Sequence, residues 1–222
     1  MGRTVVSQGS FLVATFVTGG QESASNSPTF HSCSTLVASL KNETVSRNMV
    51  NIHIKKVTLN NINQLQKIGK QTFYETFSDG NTAENMTKYL DEGFSIEKLT
   101  TEISDNNAEF YFAALDEKII GYLKLNFGQS QTELRDDKAL EIERIYVLKD
   151  FHGKNIGQIL YDKAIQVAKQ KNADYVWLGV WEENPRAINF YKKNGFIEFD
   201  KHIFKLGNDE QTDIMMKLKL KD

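Results

Sequence analysis

Residues 139–171 constrain this chain more than any other stretch. A mostly apolar, strand-like segment, Ala139–Leu148, passes through a short polar turn into an amphipathic helix, Ile156–Lys171. The helix gathers Ile156, Ile159, Leu160, Ala164, Val167 and Ala168 on one face. The turn holds Gly153 and Gly157, with Lys154 between them. The first N–H groups of a helix have no partner within it, and the helix dipole adds positive charge at that end. Glycines there let a phosphate come close to the main chain, although two glycines also suit a plain strand-to-helix turn. The loop is not a Walker A motif, because Gly-x-x-x-x-Gly-Lys-Ser/Thr is absent. Gly-x-Gly-x-x-Gly is absent too, so dinucleotide binding loses support.

The rest of the pattern surrounds this unit. Val50–Val57 reads as a first strand through the alternation of Ile52 and Ile54. Asn60–Phe77 has apolar residues at helical spacing, and Thr82–Leu90 and Ser95–Ser104 read as two shorter helices. Ser95 is placed to cap the second, with Phe94 as a staple. Glu109–Leu115 and Ile119–Phe127 flank a hairpin at 116–118, and Gly128–Lys138 is a polar loop. Tyr175–Val180 is an apolar strand. Pro185–Asn194 is a helix with Pro in its first turn and Gly195 just past its end. Phe196–Phe204 and Asp213–Leu220 close the chain as strands. The order predicts an α/β fold, a mixed sheet of six to seven strands with helices on both faces.

Residues 1–48 differ in kind. They hold nine Ser and six Thr but only five charged residues, out of 27 basic and 29 acidic in the chain. The expectation is an appended or poorly ordered segment at 1–48, with a folded domain at 49–222. The run Phe11–Val17 is too short and too diluted by Thr15 for a secretory signal, and the location expected is cytoplasmic. No apolar run approaches the roughly 20 residues that span a bilayer. A net charge of −2 gives no general reason to bind nucleic acid. Cys33 is the only cysteine, and the four histidines lack metal-ligand spacing, so no disulfide framework and no metal is expected.

A second cluster lies about 30 residues beyond the loop: Asn184-Pro-Arg-Ala187, Phe190-Tyr191 and Gly195-Phe196. With the loop, it resembles the GNAT superfamily of acyl-CoA-dependent N-acyltransferases over about Ile52 to Leu220. The family loop reads Arg/Gln-x-x-Gly-x-Gly/Ala. This chain departs from it twice, with His152 for the first residue and Asn155 for the middle glycine. Asn tolerates left-handed backbone angles, so the loop can still form. Thr72–Phe77, Asn81–Met86, Tyr89-Leu90 and Phe94–Leu99 further resemble the PaiA-type spermidine/spermine N-acetyltransferases.

The resemblance implies acetyl-CoA as co-substrate and a small amine as acceptor, and it is compatible with a homodimer. It assigns the backbone of Ile145, Tyr146 and Val147 to pantetheine and the thioester carbonyl. It assigns His152, Gly153, Lys154, Asn155, Ile156, Gly157 and Gln158 to the pyrophosphate. Asn184 would bond the pantetheine arm, Lys193 would approach a phosphate, and Tyr191 would protonate the departing thiolate. By residue type alone, Tyr191 also reads as a packing aromatic beside Phe190. Glu141 and Glu143, spaced i, i+2 on a strand, are expected to share a face with Ile145 and Val147. Two carboxylates there could draw in a cationic amine and take its proton, or form a solvated edge. Tyr74 and Glu75 are candidates for the acceptor side. Three readings stay open: small-amine acetyltransferase, protein or peptide acetyltransferase, and acetyl-CoA-binding regulator.

Overall fold

A computed structural model describes residues 52–206 and 209–221. Residues 1–48, and with them Cys33 and the proposed boundary at 49, lie outside the described residues. Among the described residues, seven strands form one sheet: β1 (Ile52–Lys56), β2 (Ala108–Leu115), β3 (Lys118–Phe127), β4 (Ala139–Val147), β5 (Tyr175–Trp181), β6 (Ile197–Leu206) and β7 (Asp209–Lys219). Their spatial order is β1-β2-β3-β4-β5-β7-β6. All neighbours are antiparallel except β4 and β5. The sheet is therefore mixed, as expected. β7 inserts between β5 and β6, so the last strand–helix–strand step does not join neighbouring strands.

Among the described residues there are five α-helices, α1 (Ile62–Phe77), α2 (Ala83–Gly93), α3 (Ile96–Ser104), α4 (Ile156–Gln170) and α5 (Pro185–Lys193). The caps explain their starts. Thr82 Oγ1 accepts from Asn85 N, Ser95 Oγ accepts from Lys98 N, and Asn184 Oδ1 accepts from Ala187 N. Phe94 and Leu99, the two positions of the staple expected at α3, are both buried in the same cluster.

Each sheet face has its own core. Leu65, Ile68, Phe73 and Phe77 of α1 pack with Met86 and Leu99 on Phe110, Phe112, Tyr122, Tyr146 and Leu148. On the other face, Leu160, Ala164 and Val167 of α4 and Ala187 and Tyr191 of α5 pack on Leu140, Ile142, Ile145 and Val147. Parity along β4 switches between Ile142 and Ile145. The cause is a bulge in the β3–β4 ladder, where Lys124 faces Arg144 but Leu125 faces Ile142. Glu143 is the extra residue. Among the described residues, no helix is long and apolar enough to cross a membrane.

Candidate active site

β4 and β5 part company early. Their pairing stops at Glu141 opposite Trp177, while β4 runs on to Val147. From Ile142 onward the β5-side edge of β4 is open. Leu148 N donates to Ile120 O on the β3 side, so Val147 and, two residues back, Ile145 turn their N–H and C=O groups toward the opening. Tyr146 points its backbone toward β3 instead. Its ring lies on the α1–α3 side, stacked on Tyr122 with centroids 5.6 Å apart.

The loop after β4 makes a short 3-10 turn at 149–151 and enters α4 through two left-handed residues, Gly153 (φ 77°) and Asn155 (φ 64°). Asn155 thus adopts the conformation that glycine would supply, as its tolerance of such angles predicts. Among the described residues, the N–H groups of Gly153, Lys154, Asn155, Ile156, Gly157 and Gln158 have no hydrogen-bond partner. The first bonded amide is Ile159, which donates to Asn155 O. Six free amides at the start of a 15-residue helix make an anion cradle. Lys154 Nζ stands 4.7 Å from the Phe151 ring centroid. The side chain of Gln158 is engaged elsewhere, through Nε2 with Asp162 and Asn194.

Two residues play a different part from the one expected. His152 turns its Nε2 onto Val147 O, 2.8 Å away, and so folds the loop back on the strand end instead of reaching a phosphate. Burial lowers its pKa, against the opposing pull of that bond and of Glu75, so the ring is neutral near pH 7. Glu75, expected beside the acceptor, accepts Lys149 N on Oε2 at 2.8 Å and Gln71 Nε2 on Oε1. It ties α1 to the start of the loop. Tyr74 beside it is 55 % exposed and joins no cluster.

Tyr191 on α5 is fully buried, with centroids 5.3 Å from Phe190 and 5.4 Å from Phe196. Its hydroxyl has no hydrogen-bond partner. Burial pushes its pKa well above the ordinary phenol value. Asn184 spends Oδ1 on its cap and keeps Nδ2 free. Lys193 is exposed at the far end of α5.

The carboxylates lie on the other face of the sheet. Because of the bulge, Glu141 and Glu143 do not share a face with Ile145 and Val147, and the strict i, i+2 expectation fails there. Both instead reach Asn126 Nδ2, at 3.0 and 2.5 Å. Glu143 pairs with Lys124 (2.6 Å) and Arg144 (3.0 Å), and Glu102 of α3 pairs with the same two cations. Burial alone would raise Glu143, but Lys124 and Arg144 overcome it and hold the carboxyl below the usual range. Burial and the neighbouring Glu143 push Glu141 the other way, against bonds from Thr132 and Asn126. One acid of the pair is held ionised and the other is held near its proton.

Beside them a cleft of about 20 Å³, room for one water, opens between Glu141 and Glu143, Trp177 and Gly179, and Asp213 and Met215, with Thr132, Glu133 and His202 at its sides. Asn126, Lys124, Arg144 and Glu102 escaped sequence reasoning because their partners are distant in the chain. Asp213 carried a signal, as a lone acid at the head of the apolar run Ile214-Met-Met.

Comparison with known proteins agrees with this geometry. A model of the acetyltransferase (GNAT) family matches residues 66–196. An uncharacterised N-acetyltransferase from the pepI 3′ region of Lactobacillus delbrueckii subsp. lactis is 37 % identical over 169 residues, 76 % of this chain and 98 % of that protein. A spermidine N(1)-acetyltransferase of Thermoplasma acidophilum is 27 % identical over 151 residues, 66 % of this chain and 89 % of that one. Among solved structures, the PaiA N-acetyltransferase of Thermoplasma acidophilum in complex with coenzyme A superposes with a TM-score of 0.63 at 25 % identity. The match covers 76 % of this chain and 99 % of that one. An opened β4 edge, a cradle of free amides and a match across the whole span between them place the chain in the GNAT family of N-acetyltransferases.

Proposed function

We propose that the protein transfers the acetyl group of acetyl-CoA to a primary amine, with a polyamine such as spermidine or spermine as acceptor, by direct attack in a ternary complex. The observation that carries this reading is the open β4 edge running into six unpaired N–H groups. Acetyl-CoA supplies an activated thioester, and this chain's residues hold and expose it. The amides of residues 153–158 take the pyrophosphate, with Lys154 and Lys193 adding charge. The edge groups of Ile145 and the N–H of Val147 pair with the pantetheine amides, the Val147 carbonyl being taken by His152, and Asn184 Nδ2 donates to the same arm. The Tyr191 hydroxyl is buried and unpartnered, which suits a group whose acceptor arrives with the substrate. It is protonated at neutral pH and can give its proton to the departing sulfur.

The polyamine acceptor is supported by the acid-lined cleft and by the relative that acetylates spermidine. No cysteine lies among the described residues, so direct attack needs no covalent relay. A reaction that consumes acetyl-CoA also fits a cytoplasmic location. The test is thiol release from acetyl-CoA by the full chain with spermidine, spermine, simple monoamines and short peptides. Polyamines should give the highest kcat/KM. Turnover confined to peptides would overturn the acceptor assignment. Stabilisation by acetyl-CoA with no transfer to any amine would overturn catalysis and favour a regulator.

A further inference from the structure

Asp213 stands apart from the other acids around the cleft. Its side chain is 2 % exposed, it lines the cleft, and its Oδ1 has no hydrogen-bond partner. The neighbouring buried acids are answered, Glu141 by Asn126 and Thr132, and Glu143 by Lys124, Arg144 and Asn126. Asp213 lies between Trp181 of β5 and His202 of β6 in the ladder. Gly179 of β5 lies beside the same carboxylate, where a Cβ would stand 3.6 Å from Oδ2, at ordinary contact distance. A buried carboxylate oxygen without a donor is costly, and a ligand that brings a donor removes the cost.

We propose that Asp213 receives the acceptor amine: its free oxygen accepts a hydrogen bond from the incoming ammonium head and takes its proton before attack, while the acids around the water-sized cleft attract the remaining charge of a di- or polyamine whose chain stays outside it. The inference rests on the amine acetyltransferase reading above and names the group that prepares its nucleophile. In the step, R–NH3⁺ gives one proton to the Asp213 carboxylate and becomes R–NH2. The nitrogen lone pair forms the C–N bond to the thioester carbon as the C–S bond breaks. The sulfur leaves with its electron pair and takes a proton from Tyr191. The second nitrogen proton, lost as the amide forms, restores that phenol, and Asp213 releases its proton to solvent. The balance is R–NH3⁺ plus acetyl-CoA giving the N-acetyl amine, CoA thiol and one proton.

The surrounding charges favour this role. Glu141 and Glu143 face the cleft from β4, Glu133 from the loop before it, and His202 from β6, paired with Glu133 at 3.2 Å. Glu182 follows β5 and is paired with Lys201. Burial, with Glu182 adding, pushes Asp213 up to about 7, so it is a stronger base than an ordinary carboxylate.

The test compares the full chain with Asp213→Asn. Trp177 lines the cleft, so spermidine binding without acetyl-CoA is read by tryptophan emission at pH 8. Binding should weaken at least about tenfold in the variant, kcat should fall about 10²–10⁴-fold, and the limb of kcat/KM near pH 7 should vanish. Acetyl-CoA binding should be unchanged. Gly179→Val, which adds bulk to the lining of the water-sized cleft while keeping the acid, should also lose spermidine binding and guards against misfolding of the first variant. Unchanged spermidine binding and an intact pH limb in Asp213→Asn overturn the proposal, as does wild-type protein whose tryptophans do not respond to spermidine. If spermidine binds through Asp213 but no amine is acetylated, the acetyltransfer reading falls and the amine site stands.

Discussion

Replacing Tyr191 by Phe should move stability and activity in opposite directions. The hydroxyl is buried with no partner in the ligand-free chain, while the ring packs against Phe190 and Phe196. Phe keeps that packing and removes only the oxygen. An unsatisfied buried hydroxyl costs about 1–3 kcal/mol. Losing it should raise stability by about 1–2 kcal/mol, a rise in Tm of roughly 2–8 °C for a domain of this size. Removing a general acid should lower kcat by about 10²–10⁴-fold. Because the lost interaction belongs to the transition state, kcat and kcat/KM should fall together. Burial keeps the phenol protonated across the neutral range, so it adds no alkaline limb to the wild-type profile there. Thermal melts of the ligand-free protein and steady-state thiol release against acetyl-CoA measure both arms. A variant that melts below wild type would show a hidden partner for the hydroxyl. A kcat within twofold would reduce Tyr191 to a packing residue.

Three further outcomes follow from the same geometry. Asn155→Val forces a β-branched residue to φ 64°, costing about 1–2 kcal/mol, and should weaken acetyl-CoA binding by calorimetry; an unchanged Kd would remove the loop from the cofactor site. Glu143→Gln takes one carboxylate from a cluster holding Lys124 and Arg144 and should cost about 3–5 kcal/mol in urea unfolding. Glu143 is held below its unfolded pKa, so its contribution is complete above about pH 4.3 and lost as pH falls through the folded value. The gap between wild type and Glu143→Gln should close on acidification, and a gap independent of pH would show that the charge is idle. Gly121→Ala places a Cβ 2.6 Å from Tyr146 O and should destabilise the β3–β4 ladder by about 1–3 kcal/mol; an unchanged unfolding midpoint would show that the ladder can give.

The elements that were legible in the sequence are those whose signals are local. The cap at Ser95, the helical stripe of α4 and the Gly153–Gly157 turn each act within a few residues, and each appears where expected. Asn155 could be read as a left-handed residue for the same reason. What was missed depends on partners far along the chain. Glu75 looked like an acceptor-side acid, but its partner is an amide 74 residues away. His152 looked like a weakened phosphate ligand, but it closes onto the carbonyl at the strand end. The insertion of β7 between β5 and β6 likewise leaves no trace in the order of elements.

The bulge at Glu143 explains why the acid pair resisted a reading by alternation. A regular strand would put Arg144 and Glu143 on opposite faces. The extra residue sends both toward α3, where they meet Lys124 and Glu102, and returns Ile145 and Val147 to the α4 core. The same irregularity therefore does two things at once. It keeps an apolar surface beneath the open edge, and it builds a charged cluster on the opposite face that fixes Glu143 in its ionised form. With Glu143 held negative, Glu141 beside it is disfavoured as a second charge. Among the described residues, Glu141 and Asp213 are acids held near their protons at neutrality, and both line the cleft beside the place where β4 and β5 separate.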